Sequence, residues 1–156
     1  MIQMKIRIIL PLVMPMACAW VARQERRIIR HGIRLNVTQT DDARRAGVLH
    51  PDRVRLQIVD EIPVGMPATL RAIGRRLDLV PPGTIGMSLR YGILIRSDAW
   101  NDRRILVHEL VHTAQYERLG GIWPFLHQYL DECLSGGYAN APLEDEACGV
   151  SRVICG

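Results

Sequence analysis

The sequence predicts an α+β fold in which a small three-stranded sheet packs on one histidine-bearing helix and further helices. Three observations lead there. Val54, Leu56 and Ile58 alternate with Arg53, Arg55 and Gln57, as in a half-buried strand. Two further strand-like runs, Thr84 to Leu89 and Ile93 to Arg96, are joined around Arg90-Tyr91-Gly92. The remaining punctuation marks out helical segments, so strands and helices are segregated and do not alternate strictly. The 156 residues suit one compact domain, and 48% hydrophobic against 23% charged residues excludes a disordered chain.

The first segment is an apolar run from Ile8 to Ala22, preceded by Lys5 and Arg7 and containing Pro11 and Pro15. It is too short to span a bilayer. With its Ala17-Cys18-Ala19 end it has the layout of a secretory signal. The pattern nevertheless runs on into Trp20, Val21, Ile28 and Ile29, with Arg23, Arg26, Arg27 and Arg30 between them. That spacing predicts a helix from about Met16 to His31, stopped at Gly32. Its apolar face either packs on the domain or rests on a membrane interface. Residues 1–31 therefore form an N-terminal helical segment and residues 32–156 a single domain. A cytoplasmic or membrane-associated chain is favoured over a secreted one.

Beyond Gly32, Thr40 is placed to cap a short helix over Asp41 to Ala46, ended by Gly47. The strand at 54–58 follows. Pro67 opens an amphipathic helix through Leu70, Ile73 and Leu77, and Pro81-Pro82-Gly83 closes it. After the strand pair, Ser97 or Asp98 is placed to cap a long helix from about Asn101 to Leu119, which Gly120-Gly121 stops. Helices from Pro124 to about Ser135 and from Pro142 to about Val153 complete the chain.

Charge and cysteine content narrow the partners. Twenty basic against sixteen acidic residues leave +4. The two signs are interleaved and no basic motif is laced with aromatics, which argues against nucleic acid. Cys18, Cys133, Cys148 and Cys155 are too sparse for a disulfide framework and include no CxxC pair, so they read as small buried residues.

The chemistry lies in the run HELVH. His108 and His112 are four positions apart and so project from one face of the predicted helix, one turn above each other. Two imidazoles that converge in this way suit zinc, and Glu109 is placed to reach a water as general base. Val107, Leu110, Val111 and Ala114 lie on a different face and can anchor the helix. A catalytic zinc site takes a third protein ligand. Glu117 shares the helix at the wrong angle, and His127 lies too far along for the HExxHxxGxxH spacing. The carboxylates Glu144, Asp145 and Glu146 open a later helix after Asn140-Ala141-Pro142 and are the favoured source.

HELVH followed at a distance by LEDEA resembles the gluzincin group of metallopeptidases, which take a third-ligand glutamate from a later helix. In several such families the later motif is similar to Glu-x-x-Ala-Asp. Aligned here, it makes Glu144 the ligand and Ala147 the small residue, with Cys148 where an aspartate is expected. Glu146 is the alternative ligand, or else supports the site from behind. The stretches HELVHTAQYERLGG, PFLHQYL, GY and PLEDEA also resemble uncharacterised bacterial HExxH proteins over roughly residues 85–150.

The resemblance implies a zincin-like fold, one zinc ion held by His108, His112 and Glu144, and hydrolysis of a peptide or protein substrate with Glu109 as base. Cysteine at 148 removes the carboxylate that would steady a ligand histidine. Tyr91, Tyr116, His127 and Tyr138 are the candidates for stabilising the oxyanion, and the sequence does not choose among them. An extended substrate is expected to add along a short edge strand near Ile93 to Arg96. The competing reading is a non-catalytic zinc-binding or sensor-like domain, attached to a membrane surface through residues 1–31.

Overall fold

The structure, a computed structural model, describes residues 2–156, with side chains from residue 8 onward. The expected positive start at Lys5 and Arg7 lies outside the described side chains.

The sheet has four strands, one more than the sequence predicts. They are β1 (Ile33–Arg34), β2 (Arg55–Val59), β3 (Gly86–Leu89) and β4 (Gly92–Arg96), in the order β1-β2-β4-β3. β1 is two exposed residues, antiparallel to β2 through Ile33 and Leu56, and is too short to carry a period. β2 runs parallel to β4, with Leu56 opposite Ile93, and β4 returns antiparallel to β3, with Ser88 opposite Ile93. The free edge beside the histidine helix is therefore β3. The expectation of an edge strand near Ile93 to Arg96 is corrected: β4 lies between two neighbours, and Gly92 to Ile95 are all buried.

Both faces of the sheet are covered. On one, Leu56, Ile93 and Ile95 share a core with Leu106, Leu110 and Ala114 of α4 (Arg103–Leu119) and Ala43 of α2 (Val37–Arg45). On the other, Leu89 and Leu94 meet Val13, Ala17, Trp20, Val21 and Ile28 of α1 (Ile2–His31), together with Leu70 of α3 (Ala68–Arg76). The α1 residues recur at helical spacing, so this face of the helix is spent on the domain. Helix α1 stops where expected but starts well before Met16. Pro11 and Pro15 lie inside it, both exposed. Ile8 and Leu12 remain open to solvent on this helix, and no helix among the described residues is long and apolar enough to cross a membrane.

An ion pair with its carboxylate buried and its guanidinium half-buried fixes α1 to the strand turn. Glu25 accepts two hydrogen bonds of 2.7 Å from Arg90 and a third, of 3.2 Å, from the Tyr91 amide. Gly92 permits the approach, since a Cβ there would stand 3.0 Å from Ile28 side-chain carbons.

Two helix caps differ from expectation. Helix α2 starts earlier than Asp41 and is capped by Asn36, which forms a reciprocal pair with Gln39; the Thr40 hydroxyl instead donates to the Asn36 carbonyl. Helix α4 is capped by Asp102, which accepts from the amides of Arg104 and Ile105. Asp98 is already paired with Arg96, and Ser97 donates to Asp60, so neither is free for that role. Gly120, at φ 101°, ends α4 as expected. Helices α5 (Ile122–Gly136) and α6 (Pro142–Cys155) then pack on α4.

Candidate metal centre

His108 and His112 project from α4 toward the first turn of α6, where Glu144 sits. Their Nε2 atoms are 3.1 Å apart, and each lies 3.2 Å from a different oxygen of the Glu144 carboxylate. With a single oxygen taken from Glu144, the three ligand atoms all fall within 4.8 Å of one another. Nitrogen and oxygen donors about 2.0–2.1 Å from a tetrahedral zinc ion stand roughly 3.3 Å apart. The donor set and its spacing therefore fit a metal ion of this kind.

The surroundings fix which atoms face inward. His112 Nδ1 lies 2.8 Å from the side-chain oxygen of Gln115, while the Gln115 amide nitrogen donates to the Leu143 carbonyl and to Glu146, each at 2.9 Å. The amide orientation thus places a proton on Nδ1, so Nε2 is the nitrogen turned to Glu144 and the one that can serve as a ligand atom once its own proton is lost. Glu146 is held in turn by two 2.8 Å bonds from Arg118. Glu146 accordingly stands behind the cluster and Glu144 stands in it. His108 is steadied less firmly, with the Cys148 sulfur 3.8 Å from its Nδ1.

Tyr129 of α5 donates a 2.7 Å hydrogen bond to Glu144 Oε1, a contact that sequence reasoning missed. Nothing in the helical period distinguishes this tyrosine from a packing residue. Burial by itself would raise the Glu144 pKa, but hydrogen bonds from His108, His112 and Tyr129 hold the carboxyl well below the usual range. Burial by itself would lower the His112 pKa, yet Glu144 on its ring, with Glu109 nearby, raises it to about 8.

Glu109 is buried beside the cluster. Desolvation pushes its carboxyl up, against the pull of the neighbouring histidines. Gly86 of β3 makes room for it, since a Cβ at 86 would stand 2.7 Å from Glu109 Oε1. A glycine within a strand run signals such a close approach, and it was available in the sequence.

The other expected candidates separate cleanly. Glu117 accepts from the amides of Leu49 and His50 and from the Tyr91 hydroxyl, so both Glu117 and Tyr91 are committed to the fold. Tyr116 is buried, stacks on Phe125 and reaches the Ser88 carbonyl. His127 is exposed. Tyr138 stands between two cavities that meet at His108 and Glu109. One cavity is apolar and runs between α1, α3 and α5; the other is an open groove past Arg104 and Arg152. His108 is the most accessible member of the cluster, with its side chain 19% exposed against 7% for His112 and 8% for Glu144, so solvent enters from its side.

Neither a protein-family model, nor a curated protein, nor a solved structure matches this chain.

Proposed function

We propose that this protein is a zinc-dependent metallopeptidase, with a gluzincin-like arrangement in which His108, His112 and Glu144 hold one zinc ion and Glu109 is the general base. The observation that carries the reading is the convergence of two imidazole nitrogens and a carboxylate at 3.1–3.2 Å, with a buried glutamate adjoining them that none of these contacts requires. When bound, zinc supplies a Lewis acid for the scissile carbonyl and makes water more acidic.

The chain's own residues supply the rest. Glu109 lies where both cavities meet and has a pKa raised by burial, so it is suited to take a proton from water as the water oxygen bonds to the carbonyl carbon. It then returns that proton to the amine nitrogen as the C–N bond breaks. Tyr138, at the junction of the cavities, is the hydroxyl best placed to donate to the developing oxyanion. β3 is the outer strand beside the cluster, and because Tyr116 already reaches its Ser88 carbonyl, an extended peptide would have to pair elsewhere along it, toward Gly86.

Elemental analysis of the purified chain, with its His108→Ala, Glu144→Ala and Glu109→Gln variants, tests the reading. We expect zinc at one equivalent, lost in the first two variants and kept in the third, and hydrolysis of an unstructured protein abolished in all three. Zinc bound without hydrolysis under any condition would leave a non-catalytic metal-binding domain. No zinc after reconstitution would remove the enzyme reading altogether.

A further inference from the structure

The outer face of α1 changes character half-way along its length. At about 100° per residue, Ile8, Leu12, Pro15 and Ala19 line up on one side of the helix, and Arg23, Arg26 and Arg30 continue the same line. All of these are exposed, whereas Val13, Ala17, Val21 and Ile28, on the opposite side, are buried in the core. The apolar half is roughly 16 Å long at 1.5 Å per residue. Its two largest members, Ile8 and Leu12, are 66% and 73% exposed, so the domain makes little use of them itself. The basic half is uncompensated. Glu25 is the one acidic residue of α1, and it is buried and paired with Arg90. Among the described residues no carboxylate pairs with Arg23, Arg26 or Arg30. The neighbouring α3 adds the exposed Arg71, Arg75 and Arg76 and no acidic residue.

We propose that this face docks α1 on the surface of an anionic lipid bilayer, with Ile8 and Leu12 entering the acyl boundary and Arg23, Arg26 and Arg30 lying among the lipid phosphates. The inference is independent of the metal centre. A bilayer surface offers hydrocarbon below and negative charge above, and a helix inclined with its first turns downward meets each with the matching half of its outer face. No helix among the described residues is long and apolar enough to cross a membrane, so the docking is at the surface. A second copy of the chain fits this face less well. Parallel pairing of two such helices sets arginine against arginine, and antiparallel pairing buries unpaired arginine on isoleucine and leucine. Docking also leaves the domain intact, because Val13, Ala17 and Val21, which pack inward, take no part in it.

The test is co-sedimentation of the full chain with vesicles of phosphatidylcholine alone and of phosphatidylcholine mixed with phosphatidylglycerol. We expect at least roughly tenfold stronger partitioning onto the mixed vesicles, weakened by added salt. Ile8→Gln with Leu12→Gln, and separately Arg23→Gln with Arg26→Gln, should each lower it by at least roughly tenfold. The controls lie on α2, across the sheet from α1, where Val37 is 80% exposed and Arg44 and Arg45 are exposed. Val37→Gln, and Arg44→Gln with Arg45→Gln, should leave partitioning unchanged. All the substituted side chains are exposed, and a circular-dichroism melt of each variant confirms that it folds. Absence of binding to either vesicle, or equal binding to both, overturns the proposal. Equal losses in the α1 and α2 variants overturn it as well, since they would mean attraction by net charge without a docking face. A chain that ignores vesicles and is a dimer in solution, made monomeric by Ile8→Gln with Leu12→Gln, overturns it in favour of an interface between copies.

Discussion

The side-chain oxygen of Gln115 lies 2.8 Å from Nδ1 of His112, within one turn of the same helix, and so determines which imidazole nitrogen faces Glu144. Gln115 is itself fixed by Leu143 and Glu146 of α6, so the orientation of one candidate ligand depends on the docking of two helices. Partners of this kind typically change metal affinity by about 10–100-fold when removed. Gln115→Leu should weaken zinc binding by that order, measured by competition with a chromophoric chelator, with helical content unchanged. Unaltered affinity would show that the amide does not orient the ring.

Gly86 and Glu109 are coupled by contact. An alanine at 86 would bring its Cβ to within 2.7 Å of Glu109 Oε1 and 3.0 Å of its Cγ, forcing the carboxylate aside. Gly86→Ala should retain zinc and the fold while lowering kcat by about 100-fold, the scale expected when a catalytic group is misplaced by about an ångström. Full activity in this variant would argue against Glu109 as the base.

Zinc binding should depend on pH through His112. With its pKa raised to about 8 by Glu144 and Glu109 in the face of burial, this ring is protonated in the metal-free protein at neutral pH, and zinc must displace that proton. Apparent affinity should rise about tenfold per pH unit toward pH 8 and then level off. Glu144 stays ionised throughout this range because its neighbours hold its pKa low. The stability of the metal-free protein should move the other way. Since the folded-state pKa lies above the ordinary 6.5, the contribution of His112 is complete below about pH 6.5 and is lost as the pH rises through about 8. Zinc titrations and urea melts at pH 6, 7, 8 and 9 check both slopes.

Glu25 should matter to stability and leave metal binding alone. Its carboxylate is buried and holds Arg90 and the Tyr91 amide, whereas the Arg90 side chain is 33% exposed and can return to water. Glu25→Gln should cost roughly 2 kcal/mol in urea unfolding, the scale of losing charge-assisted hydrogen bonds from a buried group. Zinc stoichiometry should be unchanged. An undiminished unfolding midpoint would mean that α1 is held by its apolar stripe alone.

The parts of this protein legible from its sequence were those encoded by local periodicity and local stops. The histidine spacing on α4, the stop at Gly120, the proline-led starts of α3 and α6, and the inward pair Val54 and Leu56 depend on neighbours only a few positions away, where the backbone repeat sets which residues share a face. Ile58, expected on the same buried face, is exposed. The gluzincin-like spacing likewise directed attention to Glu144, which the structure brings beside both imidazoles. Caps were less legible. Asp98 and Asp102 are the same residue type in the same stretch, and only the pairing of Asp98 with Arg96 decides between them.

What the tertiary structure alone decided is everything that depends on two distant segments meeting. The two-residue β1 exists only because β2 is there to pair with it, and β3 became the free edge because β4 was placed inside, parallel to β2. Tyr129 on Glu144, Gln115 between α4 and α6, and Glu109 against Gly86 are contacts across 15 residues or more, to which a sequence period of two or 3.6 gives no access. The sequence thus determined which side chains could do chemistry on α4. Long-range packing, which trades apolar burial against the need to pair every buried polar group, determined which others would stand around them and where a substrate could lie.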